Sequence, residues 1–346
     1  MCNGLFFLYN EHMMNWKNIH KIYLDEMPVI LQELIQCPSL QRIDEIDMNC
    51  GMQFSSFKLF KNIGSYSRLQ HSIGVACIIY YFTQDIVQAC AGLFHDISTP
   101  VFSHVVDFMM YDHLKQEYTE NKITSILKSD STLISTLKKY DIPLELVDDY
   151  HKYPIADNDS PNLSADRLEY TLGNMVNYGF TDVSTLERLY KDLSVTMNEY
   201  GEQEICFKSL DLALEFTKYM WMCSSVYIAD EDRFGMEYLA SLLRDMLERK
   251  TCTLEDLYTT EKEFISILNK DPIGKSKFEI FTSFTSVRRC KEKEEGSFKV
   301  DAKKRFIDVY VEGKGRISTI NSEMKNSILS FQSKKFDYYI TGCKEN

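Results

Sequence analysis

The chain has 346 residues, 44 % of them hydrophobic, which is enough for a large core and for one to three domains. Its formal net charge of −12 argues against a sequence-independent nucleic-acid binder, because neutralising a phosphate backbone needs a basic surface. It leaves room for a small phosphorylated ligand held by a bound cation and a few Arg or Lys side chains.

In chain order, the short apolar run at 5–9 has neither a basic lead nor a small-residue cleavage site, so no signal peptide is expected. Helical spacing over 27–36 is interrupted at Cys37, and Pro38 suits the first turn of a helix running to 47. Residues 48–64 read as irregular, with Gly51 and Gly64 as breakers. Two buried helices are expected over 69–82 and 85–94, where Ala89, Cys90, Ala91 and Gly92 permit close approach. The run 73–82, the longest apolar one, is too short to cross a bilayer, so a soluble protein without a membrane partner is expected. The ten cysteines show no CxxC spacing, and Cys77, Cys90 and Cys223 lie in apolar helical text, which fits a reducing, cytoplasmic setting.

Ser98, Thr99 and Pro100 break the chain, and helix resumes over 101–111. Short amphipathic segments follow at 117–128, 131–140 and 144–150, then a loop over 153–162. Helix is expected again over 164–176, 186–193, 209–230, 232–249 and 255–268. Beyond this the text changes: 298–300, 305–312, 316–320 and 336–341 are rich in β-branched and aromatic residues, and Gly313, Lys314 and Gly315 form a hairpin-like turn. The organisation that results is an N-terminal extension (1–27), a helical body (28–285) and a small mixed strand and helix region (286–346).

His95 and Asp96 end an apolar segment, where an imidazole beside a carboxylate is costly to bury without a partner. With His71 and Asp166 they supply two nitrogen and two oxygen ligands, whose charge balances one divalent ion. The absence of thiolate points to Mg²⁺, Mn²⁺, Fe²⁺, Co²⁺ or a catalytic Zn²⁺. His104 titrates near working pH and can serve as an acid–base group or hold phosphate, with Asp107 one turn on to orient it.

The text around these residues resembles the HD-domain phosphohydrolase superfamily, and in particular its deoxynucleoside triphosphate triphosphohydrolase (dGTPase-like) branch. The resemblance covers roughly residues 28–341. It runs through 37–43, the segment Ser67-Arg68-Leu69-Gln70-His71-Ser72, the segment Ala91-Gly92-Leu93-Phe94-His95-Asp96 with Phe102-Ser103-His104, and Asp166-Arg167-Leu168-Glu169-Tyr170. It implies an all-α HD-domain helical fold with a small α+β C-terminal region, and one divalent metal held by His71, His95, Asp96 and Asp166. It also implies hydrolysis of a nucleotide by a metal-activated water, in which Asp166 and His104 take part. Arg68 and Arg167 would lie near the phosphates, Tyr170 near the sugar, and Asn174 where the branch can place an Asp that reads the 3′-hydroxyl. A homo-oligomer is expected by analogy with relatives.

The chain departs from the branch at three places. Thr99 stands where the motif HDxGHGPFSH has its middle His, Gln116 replaces a downstream His, and Met48 and Asn49 occupy the positions of a Gln-Leu pair that selects deoxyribose in some relatives. His113 lies close to Gln116, but its spacing does not make it a substitute. These departures leave the substrate open, and they raise the alternative of a catalytically silent nucleotide-binding regulator.

Overall fold

The computed structural model describes residues 15–114 and 122–344. Residues 1–14, which contain the apolar run at 5–9, and 115–121, which contain Gln116 and the start of the segment expected over 117–128, lie outside the described residues. The chain is mostly helical. Its helices are α1 (Trp16–Tyr23), α2 (Val29–Ile35), α3 (Pro38–Asp44), α4 (Arg68–Thr83), α5 (Ile86–Phe94), α6 (Val105–Met109), α7 (Ile123–Ser129), α8 (Ser131–Lys139), α9 (Ala165–Asn177), α10 (Val183–Lys191), α11 (Leu210–Tyr227), α12 (Asp230–Glu248), α13 (Glu261–Lys270), α14 (Pro272–Thr282), α15 (Ile317–Ile320) and α16 (Ser322–Ser333). The strands are β1 (Leu193–Met197), β2 (Gln203–Phe207), β3 (Ser286–Cys290), β4 (Tyr310–Val311), β5 (Gly315–Arg316) and β6 (Tyr339–Cys343).

The helices that matter for the site begin where side chains cap them. The Ser67 hydroxyl accepts from the Gln70 amide at 3.1 Å, Asp85 from Val87 at 2.8 Å, and Ser164 from Arg167 at 3.3 Å. Pro38 occupies the first turn of α3, as its fixed φ favours. Antiparallel α4 and α5 form the centre of the core. Val75, Ile78, Ile79, Leu93 and Phe94 have no exposure, and each such side chain contributes roughly 1.5–3 kcal/mol on burial. The two helices meet at Gly92, where an added Cβ would collide with the Ile79 methyl group. Likewise α4 meets α9 at Gly74, whose missing side chain makes room for Glu169. In α1, Trp16 stacks on Tyr66 at 4.0 Å and its indole N–H donates to the Ser65 carbonyl at 2.8 Å, so residues 16–23 join the same core.

Several expectations are corrected. The helix expected over 101–111 is confined to Val105–Met109, because Phe102 and Ser103 take φ values of 58° and 50° and cannot continue a right-handed helix. Residues 144–150 form short 3₁₀ turns instead of a helix. The hairpin β1–β2, with Leu193 opposite Phe207, fills the stretch between the helices expected over 186–193 and 209–230, for which the sequence pattern predicts no element. In the C-terminal region, 316–320 is largely the helix α15, whereas the turn at Gly313 and Gly315 joins β4 to β5 as expected. β2 also pairs in parallel with β4 through Phe207 and Val311, giving the order β1-β2-β4-β5. A separate pair, β3 and β6, is antiparallel with Ser286 opposite Cys343. No described helix is long and apolar enough to cross a membrane, and the described cysteines are free thiols.

Candidate metal centre and active site

Four side chains from three helices converge. His71 sits one turn into α4, His95 and Asp96 immediately follow α5, and Asp166 lies in the first turn of α9. The Nε2 atoms of the two histidines are 3.1 Å apart. Asp166 Oδ1 lies 3.0 Å from His71 Nε2 and 3.7 Å from His95 Nε2, and Asp96 Oδ2 lies 3.9 and 3.6 Å from the same two atoms.

The other ring nitrogens are committed elsewhere. His95 Nδ1 lies 2.7 Å from the Gly92 carbonyl, which can only accept, so Nδ1 carries the proton and a neutral His95 presents a lone pair at Nε2. His71 Nδ1 faces Glu169 Oε2 at 2.5 Å, and the Tyr66 hydroxyl donates to the same oxygen. Two imidazole nitrogens and two carboxylate oxygens therefore approach one another at 3.0–3.9 Å, an arrangement that favours a positive charge among them. A divalent ion fits it, and His71, His95 and Asp96 form a ligand set whose atoms lie within 4.8 Å of one another. A proton on His71 is the simplest substitute. Burial opposes its charge, but the Asp166 and Glu169 carboxylates outweigh burial and push the pKa up to about 10. Burial likewise opposes ionisation of Asp96 and Asp166, yet Arg68 beside the first and His71 beside the second hold both well below the usual carboxylate range.

The cluster opens into a cavity of about 640 Å³. Arg68 lines it and is tied down on three sides: Nη1 to Asp96 Oδ2 at 2.9 Å, Nε to the Ser103 hydroxyl at 3.1 Å, and Nη2 towards Cys50 Sγ at 3.9 Å. His104 also lines it, with Nδ1 2.9 Å from Asp107 Oδ2. Burial, more than Asp107, governs the His104 imidazole and lowers its pKa. Tyr170 and Asn174 follow Asp166 along α9, and Asn174 Nδ2 donates to the Tyr227 hydroxyl at 2.9 Å. Arg167 reaches the cavity too, but its guanidinium is engaged by the 157–162 loop: Nη1 lies 3.0 Å from Asp157 Oδ1, Nε donates to the Asn162 carbonyl at 2.7 Å, and Nη2 donates to Asn158. Thr99 donates its hydroxyl to Asp96 Oδ1 at 3.2 Å. Met48 and Asn49 line the cavity, whereas His113 packs against the Phe108 ring.

No family model matches the chain. Among curated proteins it is 28 % identical over 240 residues to the uncharacterized protein YdhJ of Bacillus subtilis, covering 69 % of this chain and 70 % of that one. It is 26 % identical over 175 residues to the metal-dependent phosphohydrolase cns2 of Cordyceps militaris, covering 50 % of this chain and 49 % of the relative, so it spans about half that relative's length. Among solved structures, a phosphohydrolase from Bacteroides thetaiotaomicron superposes with a TM-score of 0.59 over 93 % of this chain and 97 % of the other, at 17 % identity, a likeness of fold. The metal dependence in the name of cns2 agrees with a His–Asp cluster here that could hold a metal ion.

Within this site, three residues were not singled out from the sequence. Glu169 had a signal, since it stands three residues after Asp166 on the same helix face. Lys303 and Arg305 enter the cavity from the C-terminal region, more than a hundred residues from any motif, and only the tertiary fold brings them there.

Proposed function

We propose that the chain hydrolyses a nucleotide at this cavity, with a deoxynucleoside triphosphate as the leading substrate, in the manner of the dGTPase-like branch. The observation that supports the reading is the close approach of His71, His95, Asp96 and Asp166 in a cavity also lined by Arg68, His104, Tyr170 and Asn174. These four would hold one divalent ion, which when bound polarises a phosphoryl oxygen and lowers the pKa of a water.

The remaining chemistry is the chain's own. Arg68 is buried and oriented by Asp96 and Ser103, so it presents fixed positive charge to phosphate. His104 is neutral at pH 7, because burial lowers its pKa, and with Nδ1 turned to Asp107 it takes up a proton at Nε2, as a general base requires. Tyr170 offers a ring face to the sugar. Asn174 Oδ1 is buried and has no hydrogen-bond partner among the described residues, so a sugar hydroxyl would satisfy it.

The second reading, a silent nucleotide-binding regulator, is favoured by Thr99, whose hydroxyl caps Asp96 where the family carries an imidazole. Release of phosphate or triphosphate from a nucleotide panel, with Mg²⁺, Mn²⁺ and Co²⁺ in turn, separates the two. Turnover that vanishes in Asp166→Ala supports the enzyme, whereas tight binding without product under every metal supports the regulator. About one metal ion per chain by elemental analysis is expected, and its retention in a His95→Ala, Asp96→Ala variant overturns the ligand assignment.

A further inference from the structure

One wall of the cavity comes from the C-terminal segment around residues 302–305. Lys303 and Arg305 line the same cavity as His71 and Asp166, as does Ala302, while Lys304 and Phe306 make their contacts elsewhere. Lys304 Nζ donates to the Gln332 carbonyl at 2.6 Å, and the Phe306 ring lies parallel to that of Trp221, 6.3 Å away. The segment is pinned at both ends. Arg233 Nη1 donates to the Val300 carbonyl at 2.5 Å, the Asp308 amide donates to the Pro161 carbonyl at 3.0 Å, and Arg316 Nη1 donates to the Asp308 carbonyl at 3.0 Å. These anchors fix the course of the segment where it passes the cavity.

Arg305 stands close to the His–Asp cluster. Its guanidinium carbon lies 6.0 Å from the centre of the Tyr170 ring, and Tyr170 is one helical turn beyond Asp166 on α9. Of the arginines picked out by sequence, Arg167 pairs with Asp157 at 3.0 Å, and Arg68 lies 2.9 Å from Asp96. A divalent ion held by Asp96 and Asp166 is balanced by these two carboxylates, which leaves Arg68 as the one net cation of this group, so a polyphosphate chain of several negative charges calls for further cations.

We propose that Lys303 and Arg305 form a cationic strap that binds the outer part of the substrate's phosphate chain and so selects for the number of phosphates. This rests on the reading that the substrate is a polyphosphorylated nucleotide. Calorimetric titration of inorganic tripolyphosphate and of orthophosphate into the Mn²⁺-loaded full chain tests it.

In Arg305→Gln, and more so in Lys303→Gln with Arg305→Gln, tripolyphosphate affinity should fall about tenfold or more, with orthophosphate affinity and metal content changed by less than about threefold. Arg305→Lys should restore part of the loss, and if Arg305→Gln does not fold, Lys303→Gln and Arg305→Lys carry the same comparison. Equal weakening of both phosphates, or tripolyphosphate affinity within about twofold of wild type in the double variant, overturns the strap and leaves the nucleotide reading standing. Wild-type protein that binds nucleotide but not tripolyphosphate also overturns it. Loaded wild-type protein that binds neither nucleotide nor any phosphate overturns the nucleotide reading itself.

Discussion

Glu169 Oε2 lies 2.5 Å from His71 Nδ1, inside a core where Glu169 has no exposure at all. The carboxylate fixes which imidazole nitrogen is turned to the ligand cluster and raises the basicity of the other. It is held in turn by the Tyr66 hydroxyl and by the space left at Gly74. Glu169→Gln keeps the shape but removes the charge. Metal affinity should drop about 10–100-fold by chelator competition, with little change in the helical spectrum. Unchanged affinity would mean that Glu169 serves packing alone.

Metal binding should release a proton from His71. Its folded-state pKa of about 10 lies above the unfolded value of about 6.5, so in the metal-free protein His71 stabilises the fold fully below pH 6.5, and this contribution is lost as pH rises through 10. A ligating His71 must be neutral, so affinity for metal moves the opposite way and increases about tenfold per pH unit between those limits. Titration at pH 7.5 in buffers of different ionisation enthalpy should report about one proton released per metal bound. A value near zero would show that His71 is already neutral.

The contact between α4 and α5 sets the spacing of His71 and His95. Gly92 faces Ile79 and Val75 of α4, and its carbonyl holds His95 Nδ1 at 2.7 Å. Gly92→Val forces the helices apart and should destabilise the fold by about 1–3 kcal/mol, read from chemical denaturation. It should also weaken metal binding, because His95 moves with α5. Destabilisation with metal affinity intact would show that the ligands adjust independently of the helix contact.

Much of the candidate site is legible along the chain because its candidate ligands sit near helix ends that announce themselves. Ser67, Asp85 and Ser164 cap the three helices, and the apolar text between them leaves His71, His95, Asp96 and Asp166 conspicuous. What is not legible depends on contacts distant in sequence. Phe102 and Ser103 take left-handed backbone where the Phe102 ring packs at 5.8 Å from Phe264 and 6.0 Å from Phe54, and this overrides a helical pattern. The strand β2 is completed by β4, about a hundred residues later, so a local window sees only half of its partners. Lys303 and Arg305 have no local signal, since a charged stretch becomes a cavity wall only through the anchors at Val300 and Asp308.

The last relationship joins the C-terminal sheet to the helix that carries Asp166. Arg316 donates from Nη1 and Nη2 to the two oxygens of the buried Glu204, each at 2.6 Å, and from Nε to Glu199 at 2.8 Å. Glu204 Oε1 also accepts from the Leu163 amide at 2.9 Å, and Leu163 directly precedes the cap of α9. Arg316→Met leaves the Glu204 charge buried without its partner and should cost about 3–5 kcal/mol. Combined with Glu204→Gln, which keeps an acceptor for Leu163, much of that loss should return, and a double-mutant cycle by chemical denaturation gives a coupling of about 2 kcal/mol or more. Because the same carboxylate positions the start of α9, Arg316→Met alone should also lower metal affinity, and the double variant should recover part of it. A coupling near zero would show that the ion pair is incidental to how the tail is fastened to the site.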